Sequence, residues 1–130
     1  MFASIAILLW VGHLLADYPG QTDHQATHKA DNSAHGWRAN LTHAATHVLI
    51  CSTLLAVGNA VLGWDLPLLP TVVALLWIGA THSLIDRRWP VRWWMENTGQ
   101  RDFLAHGGAA HVDQAAHVAA LVTAALFLAA

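Results

Sequence analysis

Four stretches of this chain carry no Asp, Glu, Lys or Arg: Met1–Ala16, Ala39–Trp64, Leu66–Ile85 and Gln114–Ala130. A helix that crosses a membrane needs about 17–25 mostly apolar residues. The two middle stretches meet that length outright, and the outer two meet it when Asp17 and Asp113 sit at the membrane boundary. A soluble bundle would need polar outer faces on its helices, and "VVALLWIGA" and "VAALVTAALFLAA" offer none. The expected fold class is all-α: one transmembrane four-helix domain over residues 1–130, with spans at about 2–18, 41–62, 68–86 and 109–128. Composition agrees, because only 11% of residues are charged, against about 25% in soluble domains.

The distribution of Lys and Arg sets an orientation. Lys29 and Arg38 lie between spans 1 and 2, and Arg87, Arg88, Arg92 and Arg101 between spans 3 and 4. The turn "GWDLP" between spans 2 and 3 has none. Both long connections are therefore expected on the cytoplasmic side of the cell's inner membrane, with the N- and C-termini on the outer side. Trp64 fits an outer interfacial anchor, and Trp37, Trp89, Trp93 and Trp94 fit the inner one. The N-terminal stretch reads as a retained first span, since it has no basic leader and His13 and Asp17 interrupt its apolar end. "RRWPVRWW" reads as a stop-transfer anchor followed by an in-plane helix, started by Pro90 and ended by Gly99. Its rival reading is a lipid-headgroup or polyanion site. A net charge of −2 with neutral histidines leaves no nucleic-acid footprint, and the lone Cys51 forms no internal disulfide.

Ten histidines are the unusual feature. Each span holds one pair of metal-type residues four apart: His13 and Asp17, His43 and His47, His82 and Asp86, Asp113 and His117. Residues at that spacing share a helix face, about 5–6 Å apart. The pair lies at the end of spans 1 and 3 and at the start of spans 2 and 4. Alternating span direction then brings all eight side chains to one depth, at the cytoplasmic end. Ionisable groups at membrane depth are costly and face the bundle interior. Facing helices of bundles build carboxylate–histidine metal sites in this way.

Eight donors exceed one tetrahedral zinc and suit two divalent ions sharing a bridging water. Two such ions, three carboxylates and a hydroxide sum to neutrality, which a low-dielectric site tolerates best. With one ion, the spare carboxylates would orient ligand imidazoles. Zinc is the first choice for this donor mix, with manganese and iron as alternatives.

Other positions are weaker candidates. Cys51 continues the His43–His47 row, either as a soft ligand or as a small buried hydrophobe. Gln21 and Gln114 either hold a carboxylate or substrate or act as caps. His24 and His28, like Asp31 and His35, repeat the four-residue spacing in the polar connection; they read as solvated, with a lid over the site as the alternative. His106 and His111 read as interfacial. Ala116, Ala120 and Ala124 form a small-residue register that lets membrane helices approach closely.

Together "HLLADYPGQ", Lys29, the His43/His47 pair, "THSLID" and "DQAAH" resemble the domain-of-unknown-function family 3307, small bacterial and phage integral membrane proteins. The likeness covers nearly the whole chain. It implies His13, Asp17, Gln21, Lys29, His43, His47, His82, Asp86, Asp113, Gln114 and His117 as signature positions. The chain departs from that pattern at Pro19–Gly20. The resemblance lends no activity.

Three functions compete. A membrane-embedded metal enzyme would hydrolyse a lipid-linked phosphoester, ester or amide, with Lys29 or Arg38 orienting an anionic headgroup and Asp17 or Asp113 as base. An iron centre would instead oxidise a lipid chain. A phage or bacterial effector or interaction module would use the metal only as a staple. A metal-ion or proton transporter would need polar steps deeper in the membrane, which the apolar outer halves lack. Membrane lipids are the expected partners, and a homo-oligomer is compatible with the sequence.

Overall fold

The computed structural model describes residues 1–130 and contains helices without strands. In chain order these are α1 (Phe2–Asp17), α2 (Asp23–His28), α3 (Ala34–Leu62), α4 (Leu68–Ile85), α5 (Trp89–Asn97), α6 (Arg101–Ala105) and α7 (Ala109–Ala129). The four long helices α1, α3, α4 and α7 close a ring. α1 packs on α3 and α7, and α4 packs on the same two. α2 lies against α3, and α5 reaches both α4 and α7.

Local chemistry sets the helix ends. α1 stops before Pro19, which has no N–H to extend the ladder. The chain then folds back so tightly that Gly20 N–H bonds to Leu15 O at 2.9 Å. A Cβ at Gly20 would sit 2.9 Å from that same oxygen, so a residue without a side chain is required. α2 opens with a reciprocal cap: Thr22 accepts from Gln25 N–H, and the Gln25 side chain accepts from Thr22 N–H. α3 starts at Ala34, seven positions before the expected Leu41, because Ser33 caps Gly36 N–H at 3.0 Å and polar residues extend a helix as well as apolar ones. It ends at Gly63, whose φ of 62° is the left-handed conformation that favours glycine. Pro90 stands in the first turn of α5, and Gly99, with φ 79°, follows its end. The short α6 was not anticipated.

α3, α4 and α7 are long and apolar enough to cross a membrane. α1, expected as the fourth span, is apolar but shorter than these three. Its 16 residues extend only about 24 Å, short of a hydrocarbon core of about 30 Å. Ile7, Leu49, Val61, Leu68, Leu76 and Leu126 are all more than half exposed. So much apolar surface marks a membrane or partner interface, and with the three long helices it fits membrane association.

Inside the ring, Ile5, Leu9, Cys51, Leu55, Ile78 and Leu121 belong to one apolar cluster. It fills the end nearest the N-terminus of α1 and the C-terminus of α7. Beside it, α1 and α3 approach closely at Gly58, where an added Cβ would come 2.6 Å from Leu8 Cδ1 and 2.8 Å from the Trp64 ring. Gly58→Val is expected to destabilise the fold by about 1–3 kcal/mol through overpacking, read as a lowered thermal midpoint in detergent. An unchanged midpoint would contradict the close α1–α3 contact.

Candidate metal centre

The other end of the ring is polar, because each helix delivers its i, i+4 pair there. His13 and Asp17 come from the last turns of α1, and His82 with the capping Asp86 from the end of α4. Asp113 and His117 come from the first turns of α7, and His43 and His47 from α3. His13, His43, His47, His82 and His117 are buried, as is Asp86. Asp17 and Asp113 stay partly open, with side chains 11% and 24% exposed.

Asp17 is the hub of one half. Its Oδ2 lies 3.1 Å from His13 Nε2, and its Oδ1 lies 3.2 Å from both His43 Nε2 and His47 Nε2. Those two imidazole nitrogens are 3.3 Å apart. His82 Nε2 closes the group at 4.0 Å from Asp17 Oδ1. Asp86 is the hub of the other half. Its Oδ2 meets His82 Nε2 at 3.1 Å and His43 Nε2 at 3.5 Å, and its Oδ1 faces His117 Nε2 at 3.7 Å. His117 Nε2 is also 3.5 Å from Asp113 Oδ2. The rings of His47 and His82 stack at 3.5 Å and tie the halves together. All eight residues singled out by spacing therefore meet in one layer.

The donor set fits a cation. Two ligands held about 2.0–2.1 Å from one tetrahedral ion stand about 3.3 Å apart. The triangle Asp17–His43–His47, with edges of 3.2, 3.2 and 3.3 Å, has that size. Asp17, His43, His47 and His82 form one group able to hold an ion, and Asp86, Asp113 and His117 form another with no shared member. His13 joins His82 and His117 in a third group that links them. Mutual hydrogen bonding does not satisfy these atoms. His43 Nδ1 is buried without a hydrogen-bond partner, and buried His82 Nε2 faces Asp86 Oδ2 at 3.1 Å without hydrogen-bond geometry. Lys29 Nζ stands 3.0 Å from Asp86 Oδ2 as an ion pair. Unsatisfied buried polar groups are costly, and a coordinated cation removes that cost for ligand nitrogens and oxygens.

The supporting positions divide. Lys29 reaches the centre through Asp86. Gln114 Oε1 lies 3.3 Å from His13 Nε2. Gln21 caps α1, donating to Asp17 O at 2.8 Å, and its Oε1 is buried without a partner. Gln21, Gln114 and Lys29 line a cavity of about 160 Å³ with Asp17, Asp86 and Asp113. Arg38 does not reach the centre. It is exposed and lines a separate surface pocket with His24 and His35, because it sits on the part of α3 that precedes the ring. Cys51 fits the reading as a small buried hydrophobe: it belongs to the apolar cluster, with Sγ 3.9 Å from Leu9 O.

Several contributors escaped the spacing pattern. Asn40, fully buried one turn before His43, donates from Nδ2 to Ser83 O at 3.0 Å and accepts from Ser83 Oγ, joining α3 to α4. Its place on the His43 face was the available signal. Arg87 is buried under Trp37 at 4.3 Å and donates to Lys29 O and Asp31 O at 3.1 and 2.9 Å. It thereby clamps the connection that carries Lys29. His24 and His35 are exposed and His28 half-buried, in line with the solvated reading, and the three also meet one another outside the centre, with His28 Nδ1 2.7 Å from Asp31 Oδ2.

The family model described as "Protein of unknown function (DUF3307)" matches residues 5–130, and the chain belongs to that family. No curated protein and no solved structure matches it. Arg87→Met removes both clamp bonds, each charge-assisted bond worth about 1.5–3 kcal/mol. Faster hydrogen–deuterium exchange is expected in residues 29–33, and unchanged exchange there would contradict the clamp.

Proposed function

We propose that this chain is an integral membrane metalloprotein whose centre holds two divalent ions and hydrolyses a lipid or lipid-linked substrate at the cytoplasmic headgroup level. One observation carries the reading: seven of the eight donors fall into two groups able to hold an ion, with no shared member, and the eighth, His13, joins His82 and His117 in a third group that bridges them. In this reading α1 crosses the bilayer as well, its short length met by local thinning. Lys29, Arg38, Arg87, Arg88, Arg92 and Arg101 all lie at or beyond the polar ends of the long helices, which supports the cytoplasmic assignment of that end. Zinc is the first choice of ion, ahead of manganese and iron.

Bound there, divalent ions supply a water acidified to a pKa of about 7 and polarise the bond to be cut. The chain's own groups do the rest. Asp113, the more open of the two partly exposed carboxylates, would hold an ion with Oδ2, which faces His117 Nε2 at 3.5 Å, and its Oδ1 is placed to take the proton as water adds to the reacting centre. The ester bond breaks, and the same carboxyl returns the proton to the leaving oxygen. Lys29 is placed to orient an anionic headgroup beside Asp86.

The apolar cluster behind the centre, with Leu9, Leu55, Ile78 and Leu121 filling the ring, supports hydrolysis or a structural role over transport. A conducting path would need polar groups there. Asp113→Asn separates the remaining two. An enzyme keeps its thermal midpoint and loses about 10²- to 10⁴-fold in turnover on a panel of phospholipid and lipid-linked pyrophosphate substrates. A staple loses the fold. Elemental analysis of the purified chain should give two ions, falling to one or none in Asp17→Ala. A chain that retains no divalent ion contradicts the proposal.

A further inference from the structure

Beside the metal centre the structure opens into a cleft of about 450 Å³ between the Lys29 connection, α5 and the start of α7. Asp86 and Asp113, which also belong to the metal centre, line it together with Lys29, Arg88 and Arg92. Ala109 and Ala110, from the first turn of α7, line it as well. No side chain caps that helix, so its free N–H groups add a partial positive charge. Once Asp86 and Asp113 are neutralised by metal, every remaining charge in the cleft is positive. That charge balance rests on the metalloprotein reading proposed above.

Arg88 is held there against its own backbone preference. Its φ is 63°, a conformation that favours glycine and strains a side-chain-bearing residue. The guanidinium reaches across to Ala26 O at 3.4 Å and joins α5 to α2. Such strain persists where the surroundings demand it, and the cleft gives it a use.

A second cavity, about 350 Å³ and almost wholly apolar, adjoins the first. Val91 lines both. Ile85 and Val112, which line the groove, directly precede Asp86 and Asp113, and Trp94 and Ala116 complete its walls. A small water-soluble anion would use the cleft and leave the groove empty. A ligand that fills both carries a phosphate at one end and hydrocarbon at the other.

We infer that cleft and groove together form a binding site for an anionic membrane lipid. Its phosphate lies between Lys29, Arg88 and Arg92, and one of its chains lies in the groove between α4, α5 and α7. The planar guanidinium groups match phosphate oxygens in pairs, and the membrane supplies the lipid laterally. This places the headgroup ester against Asp86 and Asp113, so the substrate class of the proposed hydrolase is a phosphate-bearing lipid.

The test uses the full chain, metal-loaded, in nanodiscs of phosphatidylcholine with and without phosphatidic acid of the same chains, with bound lipid counted by native mass spectrometry. Phosphatidic acid is expected at a preference of about tenfold or more over phosphatidylcholine, the fold-change of one charge-assisted contact. Arg88→Gly relieves the backbone strain, so the thermal midpoint should not fall while the preference drops by about tenfold. Ala116→Trp, which fills the groove, should weaken phosphatidic acid and leave competition by inorganic phosphate unchanged. Equal binding of the two lipids by a metal-loaded chain overturns the site, as does an unchanged preference in Arg88→Gly. Inorganic phosphate binding as tightly as phosphatidic acid overturns the groove's part and leaves a free-anion site instead. Metal content, measured on the same samples, separates the failures. A loaded chain without lipid preference overturns this site alone, and a metal-free chain that still prefers phosphatidic acid overturns the metal centre alone.

Discussion

The structure turns on the way partly exposed Asp17 and buried Asp86 are set among five buried imidazoles. Taking carboxylates out of water is costly, and pairing with imidazoles repays only part of the cost. Every other feature of the polar end follows from that imbalance. Four helices must meet at one level for the imidazoles to surround both carboxylates. Lys29, 3.0 Å from Asp86, offsets part of that cost, while His82 Nε2 and His43 Nδ1 are left without a hydrogen-bond partner. The donors stand in groups able to hold a cation, and a coordinated cation would offset the rest, as the proposed metalloprotein requires.

The apolar half of the ring makes the polar half possible. Leu9, Leu55, Ile78 and Leu121 pack without polar atoms, so they fix the spacing of the helices independently of what happens at the other end. The close contact at Gly58 draws α1 onto α3, and the Trp77 indole donates to Ala120 O at 3.0 Å, fastening α4 to α7. Beyond the site, the connections form its walls. Arg87 ties the Lys29 turn to the end of α4, and α5 lies across α4 and α7 with Val91 and Met95 buried beneath it. The result is a polar layer closed towards the apolar core and reached by cavities from its other side.

Much of this was legible in the sequence, because two simple periodicities carry it. Charge-free length marked α3, α4 and α7, and i, i+4 spacing with alternating position marked all eight donors. What escaped has physical reasons. Apolarity says where a helix can be buried and nothing about where it begins, so the Ser33 cap moved α3's start from Leu41 to Ala34. α1 runs over Phe2–Asp17, within one residue of the expected 2–18, and Pro19 ends it. Cys51 shares the His47 face but lies a turn too deep, and Arg38, five residues before His43, falls on the exposed side of α3. Asn40–Ser83 and Arg87–Trp37 are contacts between elements distant in sequence, which no local pattern encodes. The left-handed backbone of Arg88 is set by the α4–α5 turn and left no mark in residue type, since a glycine would have announced it and an arginine does not.

The most direct test of the central claim is an X-ray absorption spectrum at the K-edge of whatever divalent metal copurifies with the chain. A first shell of nitrogen and oxygen at about 2.0–2.2 Å is expected, with the outer-shell scattering of at least two imidazoles and a metal–metal vector near 3.5–4 Å. A shell of oxygen alone, with no imidazole scattering, would contradict the account.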